Sequence, residues 1–79
     1  MSHTFSPLSI EVGLARFRTI NTVEQAGRYL LEDWPEVPGP LHLRARQVCI
    51  QAIQGEREPS RAREAFIAAL EEAEIFVRH

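Results

Sequence analysis

Leu30-Leu31-Glu32-Asp33-Trp34-Pro35 is the stretch that decides how this chain is read. It holds the only tryptophan, and the proline behind it ends any helix leading in, because a residue before proline is pushed out of the α region. Counting back from Trp34, the residues Val23, Ala26, Gly27, Leu30 and Leu31 fall at the spacings of one helical stripe. That helix opens at Asn21 or Thr22, and Asn21 followed three residues later by Glu24 resembles a capping box. Trp34 then marks the centre of a core, and Pro35 forces an exposed turn through Glu36-Val37-Pro38-Gly39-Pro40.

Upstream of this helix the period changes from 3.6 to two. Leu8, Ile10 and Val12 alternate with Ser9 and Glu11, and Arg16-Phe17-Arg18 resumes the alternation after Gly13-Leu14. Glycine at the first central position suits a type II′ turn. Such a turn would oppose Val12 to Ala15, Ile10 to Phe17 and Leu8 to Thr19, with Glu11 and Arg16 paired on the other face.

Downstream, a second helix is expected from about Leu41 to Gln54, with Gly55 as the left-handed residue that closes it. Its stripe is Leu41, Ala45, Val48, Cys49, Ala52 and Ile53. Leu43 and Ile50 lie off that stripe and widen the apolar arc to roughly 220°, so the helix is either central or partly covered by a partner. A third helix follows Pro59, with Ser60 as the expected N-cap and Ala62, Ala65, Phe66, Ala69, Leu70 and Ala73 as its stripe. Phe66 is the large anchor among alanines that allow close approach. Ile75-Phe76-Val77 reads as a third strand covering one edge of the hairpin. The expected fold is therefore α+β: an N-terminal β-hairpin, three helices and a short C-terminal strand beside the hairpin. Residues 1–79 are read as one domain, with 1–6 as a flexible N-terminal tail. The expected core is Ile10, Phe17, Leu30, Trp34, Val48, Cys49, Ile53, Phe66 and Leu70.

Bulk properties narrow the function classes. A chain of 79 residues buries only about 60% of its unfolded surface, and one cysteine permits no internal disulfide, so self-association is a natural way to add buried area. A composition 44% hydrophobic and 25% charged is that of a globular domain. Net charge −2 argues against a dedicated nucleic-acid binder. All nine cationic residues are arginine, which suits bidentate contacts to carboxylate or phosphate. The first residues lack a basic stretch leading into an apolar one, and no apolar run approaches the ~18 residues of a membrane span. The expected compartment is the cytoplasm, with no membrane partner.

The assembled pattern resembles a small family catalogued as domain of unknown function 982, typical of rhizobia and related alphaproteobacteria. The likeness is carried by Ile20-Asn21-Thr22-Val23-Glu24-Gln25-Ala26, by Leu30 to Pro35, by Ala45 to Cys49, by Gly55, and by Ala62 to Ala69. The family's third helix often reads alanine-glycine near its end, where this chain has Ala73-Glu74. The resemblance implies a compact α+β domain and no particular activity.

The chemistry-bearing residues give no catalytic set. Cys49 and His42 share one side of the second helix but are separated by roughly 10 Å of rise, too far for a nucleophile–base hydrogen bond. Cys49 falls in the apolar stripe, where a thiol behaves as a small hydrophobe. His3, His42 and His79 lack metal-ligand spacing, so no metal or cofactor is expected. His42 beside the helix 1–2 turn is expected to pack at a helix start; a pH-responsive role there would appear between pH 5 and 8. Arg46 and Arg63 border the apolar stripes, where a snorkelling role paired with glutamate competes with an anion site formed with His42. Glu71, Glu72 and Glu74 crowd a helix C-terminus, where the macrodipole disfavours them, so an arginine partner such as Arg78, or a neighbouring subunit, is expected. A helix-turn-helix reading with Arg61 and Arg63 is opposed by Glu56 and Glu58 in the connection.

The leading expectation is a non-enzymatic protein-interaction module that forms a weak homodimer or meets another protein, with Leu43 and Ile50 as its contact patch. The alternative is a small-molecule or anion-binding regulatory domain using His42, Arg46 and Arg63. Trp34, Pro35 and Phe66 are the expected structural anchors.

Overall fold

The computed structural model describes residues 3–79; Met1 and Ser2, part of the expected tail, lie outside the described residues. Its elements are β1 (Thr4–Gly13), β2 (Arg16–Thr22), α1 (Val23–Arg28) continued by a π-helical turn (Tyr29–Asp33), α2 (Pro40–Ile53), α3 (Pro59–Glu72) and β3 (Val77–Arg78). One antiparallel sheet has the order β2-β1-β3, so the α+β reading holds and the C-terminal strand lies beside the hairpin as expected. Thr4-Phe5-Ser6 belong to β1 rather than to a tail. The backbone N–H of Val23 donates to the His3 carbonyl at 2.9 Å, which ties this start of the chain to α1.

The hairpin register differs from the expected one by a single residue. Leu8 opposes Ile20, Ile10 opposes Arg18, Glu11 opposes Phe17 and Gly13 opposes Arg16, around a Leu14-Ala15 turn. An extra residue at Val12 bulges β1 between Glu11 and Gly13. Because side chains alternate across a strand, this slip turns all of β2 over. Ile20 goes into the core and Phe17 goes to the outer face, 45% exposed. There Phe17 meets Phe76 edge-to-face at 6.3 Å, and the Arg78 guanidinium lies 5.5 Å over its ring. A second irregularity lies between Thr4 and Leu8, where Pro7 has no N–H to give a ladder.

α1 is capped by Thr22, not Asn21. Thr22 Oγ1 accepts from Gln25 N at 3.0 Å, while Gln25 Oε1 accepts from the backbone N–H groups of Thr22 and Asn21. The box shifts by one residue because Thr22 still has extended backbone, φ −132°, as the last residue of β2. The π-helical turn then alters the face of the helix. Tyr29 and Leu30 are both buried, whereas Leu31, placed on the stripe by its spacing, is 66% exposed. Trp34 leaves the helix with ψ 122° ahead of Pro35, as a residue before proline should.

Phe66, not Trp34, is the centre of the core. It is fully buried with Leu8, Ile10, Ile20, Val23, Leu30 and Leu70. Trp34 is half-buried at the rim, between Tyr29 (5.7 Å) and His42 (4.8 Å), and Tyr29 links it edge-to-face to Phe66 at 6.0 Å. Ile53 and Leu41 are left 45% and 38% exposed, and His42 takes a buried place on α2 in their stead. α3 starts with Pro59 at its first position and Glu58 at the N-cap, with no side-chain cap, so Ser60 is inside the helix.

Two helix ends close in the same way. At the end of α2, Gly55 N donates to Ala52 O and Glu56 N to Gln51 O, with Gly55 at φ 81°, which is the Schellman pattern. At the end of α3, Glu74 N donates to Glu71 O and Ile75 N to Leu70 O, with Glu74 at φ 60°. The left-handed residue persists there without glycine. Ile75 consequently packs against the core and aims the chain back toward β1.

Candidate functional site

α2 is the pivot of the surface. Its inner face, His42, Ala45, Cys49 and Ala52, is buried, and its two flanks border two clefts. One flank faces α1 and the π-helical turn across a mostly apolar groove of about 320 Å³, lined by Gly27, Leu31, Cys49, Ile50 and Ile53 and rimmed by Glu24, Arg28 and Arg46. The other flank faces α3 across a polar cleft of about 370 Å³ with Arg44, Arg57 and Arg61 at its edges.

The three residues expected to form an anion site are not brought together. His42 is in the core, and its Nε2–H donates to the Leu30 carbonyl at 2.8 Å. A carbonyl only accepts, so Nε2 carries a proton. Neither His42 Nδ1 nor the adjacent Trp34 Nε1 has a hydrogen-bond partner among the described residues. Arg46 borders the apolar groove. Arg63 reaches β1 instead, where its Nε donates to the Ser6 carbonyl at 2.9 Å and fastens β1 to α3. The clamp fails because α2 and α3 turn Arg46 and Arg63 toward different neighbours.

Leu43 and Ile50, the expected contact patch, are both more than half exposed and share one flank of α2 seven residues apart. Leu31, missed because its spacing placed it in the core, faces Ile50 across the groove. Gly27 at the groove wall has nothing within 4 Å of where a Cβ would stand. Cys49 is 2% exposed, and burial pushes its thiol up to about 11. The thiolate that attacks electrophiles is therefore scarce near neutrality. Burial also raises the Tyr29 phenol above its usual range. The hydrogen bond from His3 holds the Glu24 carboxyl below the usual carboxylate range. No group of three His, Cys, Asp or Glu among the described residues could hold a metal ion, and no helix among them is long and apolar enough to cross a membrane.

The acidic end of α3 has a partner other than arginine. Glu72 carries its carboxylate to the first turn of α2, where Leu41 N donates to Oε1 at 3.2 Å and to Oε2 at 3.4 Å. A charge disfavoured at one helix C-terminus is thereby placed at another helix's N-terminus, where the dipole favours it.

Neither the curated proteins nor the solved structures include a significant match to this sequence. From the first strand to the last, over residues 6–77, it matches the model of one family, and the chain belongs to that family, described as protein of unknown function (DUF982).

Proposed function

We propose that this domain is a non-enzymatic, cytoplasmic protein-interaction module that pairs weakly with a second copy of itself across the groove between α1 and α2. The observation that carries the reading is the set of exposed aliphatic side chains here: Leu31 at 66%, Ile50 at 55% and Ile53 at 45% line the groove, and Leu43 at 51% lies two turns before Ile50 on the same flank of α2. Exposed aliphatics in a contiguous patch mark contact surfaces more often than scattered ones do. Phe17 and Phe76, on the other side of the sheet from the core, meet each other edge-to-face at 6.3 Å.

Charge favours a second copy as the occupant. α2 contains no acidic residue and borders the groove with Arg46, while the α1 wall carries Glu24, which His3 contacts, and an Arg28–Glu32 pair at 3.8 Å. Arg46 has no ionic partner within its own chain among the described residues. A two-fold axis would oppose α2 of each copy to α1 of the other, with Arg46 near Glu24 of the second copy, as an isologous interface requires. Gly27 points the same way. Glycine inside a helix is about 1 kcal/mol worse than alanine, yet no atom of this chain needs the space it leaves. A close-approaching neighbour would. The non-enzymatic part of the reading is supported by the protonated, buried Cys49 and by the commitment of His42 to the Leu30 carbonyl.

Sedimentation velocity over a concentration series tests this. The wild type should show a reversible monomer–dimer equilibrium, and Leu43→Glu, Ile50→Glu should shift it to monomer with the thermal midpoint little changed. A wild type that stays monomeric at the highest concentration, or a double variant that associates as well, refutes the homodimer. Gly27→Ala should raise the stability of the monomer by about 0.5–1 kcal/mol while weakening association.

A further inference from the structure

We propose that the cleft between α2 and α3 is a binding site for a phosphate monoester, held by Arg44, Arg57 and Arg61. These three come from separate segments: Arg44 from α2, Arg57 from the connection behind the Gly55 turn, and Arg61 from the first turn of α3. All three line one cleft of about 370 Å³, within the size range of small-ligand sites.

The charges there are not balanced internally. Among the described residues Glu64 is the only carboxylate lining the cleft, and it pairs with Arg61 at 3.3 Å. Arg57 Nε donates to the neutral amide oxygen of Gln51. Arg44 has no hydrogen-bond or ionic partner among the described residues. Counting only the residues that line the cleft, three guanidinium groups face one carboxylate; Glu56 and Glu58 flank Arg57 in the connection but do not line it. Self-repulsion of this kind is relieved by a dianion, and guanidinium forks match phosphate oxygens in pairs. Arg61 also stands where the positive end of the α3 dipole favours an anion.

Between the arginines the cleft is lined by Val48, Ala65 and Ala68. Such short side chains leave room for the organic part of a monoester against an apolar bed. An ester should therefore bind more tightly than bare phosphate. The site lies on the flank of α2 opposite Leu43 and Ile50, so it is independent of the proposed self-association.

Calorimetric titration at low salt with phenyl phosphate, inorganic phosphate and a phosphoserine peptide tests the proposal. Phenyl phosphate should saturate, bind more tightly than inorganic phosphate, and weaken at least about tenfold in Arg44→Gln and in Arg57→Gln, each of which removes a charge-assisted contact. Arg46→Gln, on the other flank, should leave the affinity unchanged. Peptide binding as tight as that of phenyl phosphate, and equally sensitive to Arg44→Gln, supports the same site with a phosphorylated protein as the source. Lack of saturation by any probe at millimolar concentration, unchanged binding in Arg44→Gln, or an equal loss in Arg46→Gln overturns it.

Discussion

Glu72 and Leu41 stand 31 residues apart, yet the carboxylate of one caps the backbone N–H of the other. Gly39 makes this possible. A Cβ there would lie 2.5 Å from Glu72 Oε1, while the glycine's own backbone, φ −100° and ψ −175°, is open to any residue. Losing a helix cap destabilises by about 0.5–2 kcal/mol. Glu72→Ala and Gly39→Ala should each cost about that much by chemical denaturation. Because both act by removing one interaction, the double variant should cost little more than either alone. Additive losses would show that Gly39 serves something other than the cap.

Among the described residues, two with side chains occupy left-handed backbone: Ala15 at φ 56° and Glu74 at φ 60°. A residue with a Cβ is about 1–2 kcal/mol less favourable there than in the right-handed region, and glycine is exempt. Ala15→Gly and Glu74→Gly should each stabilise the domain by about 0.5–1 kcal/mol, visible as a raised thermal midpoint. Gly55→Ala, at φ 81°, should do the reverse.

The two anchors are unequal. Phe66 is fully buried, and Phe66→Ala should destabilise by about 3–5 kcal/mol, enough to unfold much of so small a domain. Trp34, half-buried on Tyr29 and His42, should cost less as Trp34→Ala, about 2 kcal/mol. Equilibrium unfolding of the two variants checks the order, and a larger loss at Trp34 would restore it as the core's centre.

Alkaline pH should expose the burial of Cys49. Its folded-state value is raised to about 11 from the ordinary 9.0. The folded chain therefore keeps its proton where the unfolded chain has lost it, and stability is full below about pH 9 and falls as pH rises toward 11. The slope attributable to one group is at most about 1.4 kcal/mol per pH unit. Comparing the pH dependence of unfolding for wild type and Cys49→Ala isolates it from Tyr29, which titrates in the same direction. Identical alkaline slopes would mean that the thiol ionises freely.

What could be read along the chain was whatever depends on near neighbours. The middle of the α2 stripe, the α3 stripe, the stop at Pro35, the Gly55 closure and a strand near Val77 follow from spacing within a turn or two, because helix and strand periods are local, while Leu41 and Ile53 at the ends of the α2 stripe stay exposed. Leu43 and Ile50 were legible for the same reason, as residues off their helix's buried face. The hairpin register was not legible. Phe17 and Ile20 are both acceptable core residues, and choosing between them requires the helices that cover one face of the sheet, plus a bulge at Val12 that no turn residue announces. The π-helical turn, which exchanges Leu31 for Tyr29, likewise depends on Phe66 being there to receive the ring. The cap of Glu72 on Leu41, and the gathering of Arg44, Arg57 and Arg61 while Arg46 and Arg63 part, were set by the packing of α2 against α3. Local periodicity says which side of a helix is apolar; only the docking of whole helices says which distant charges meet.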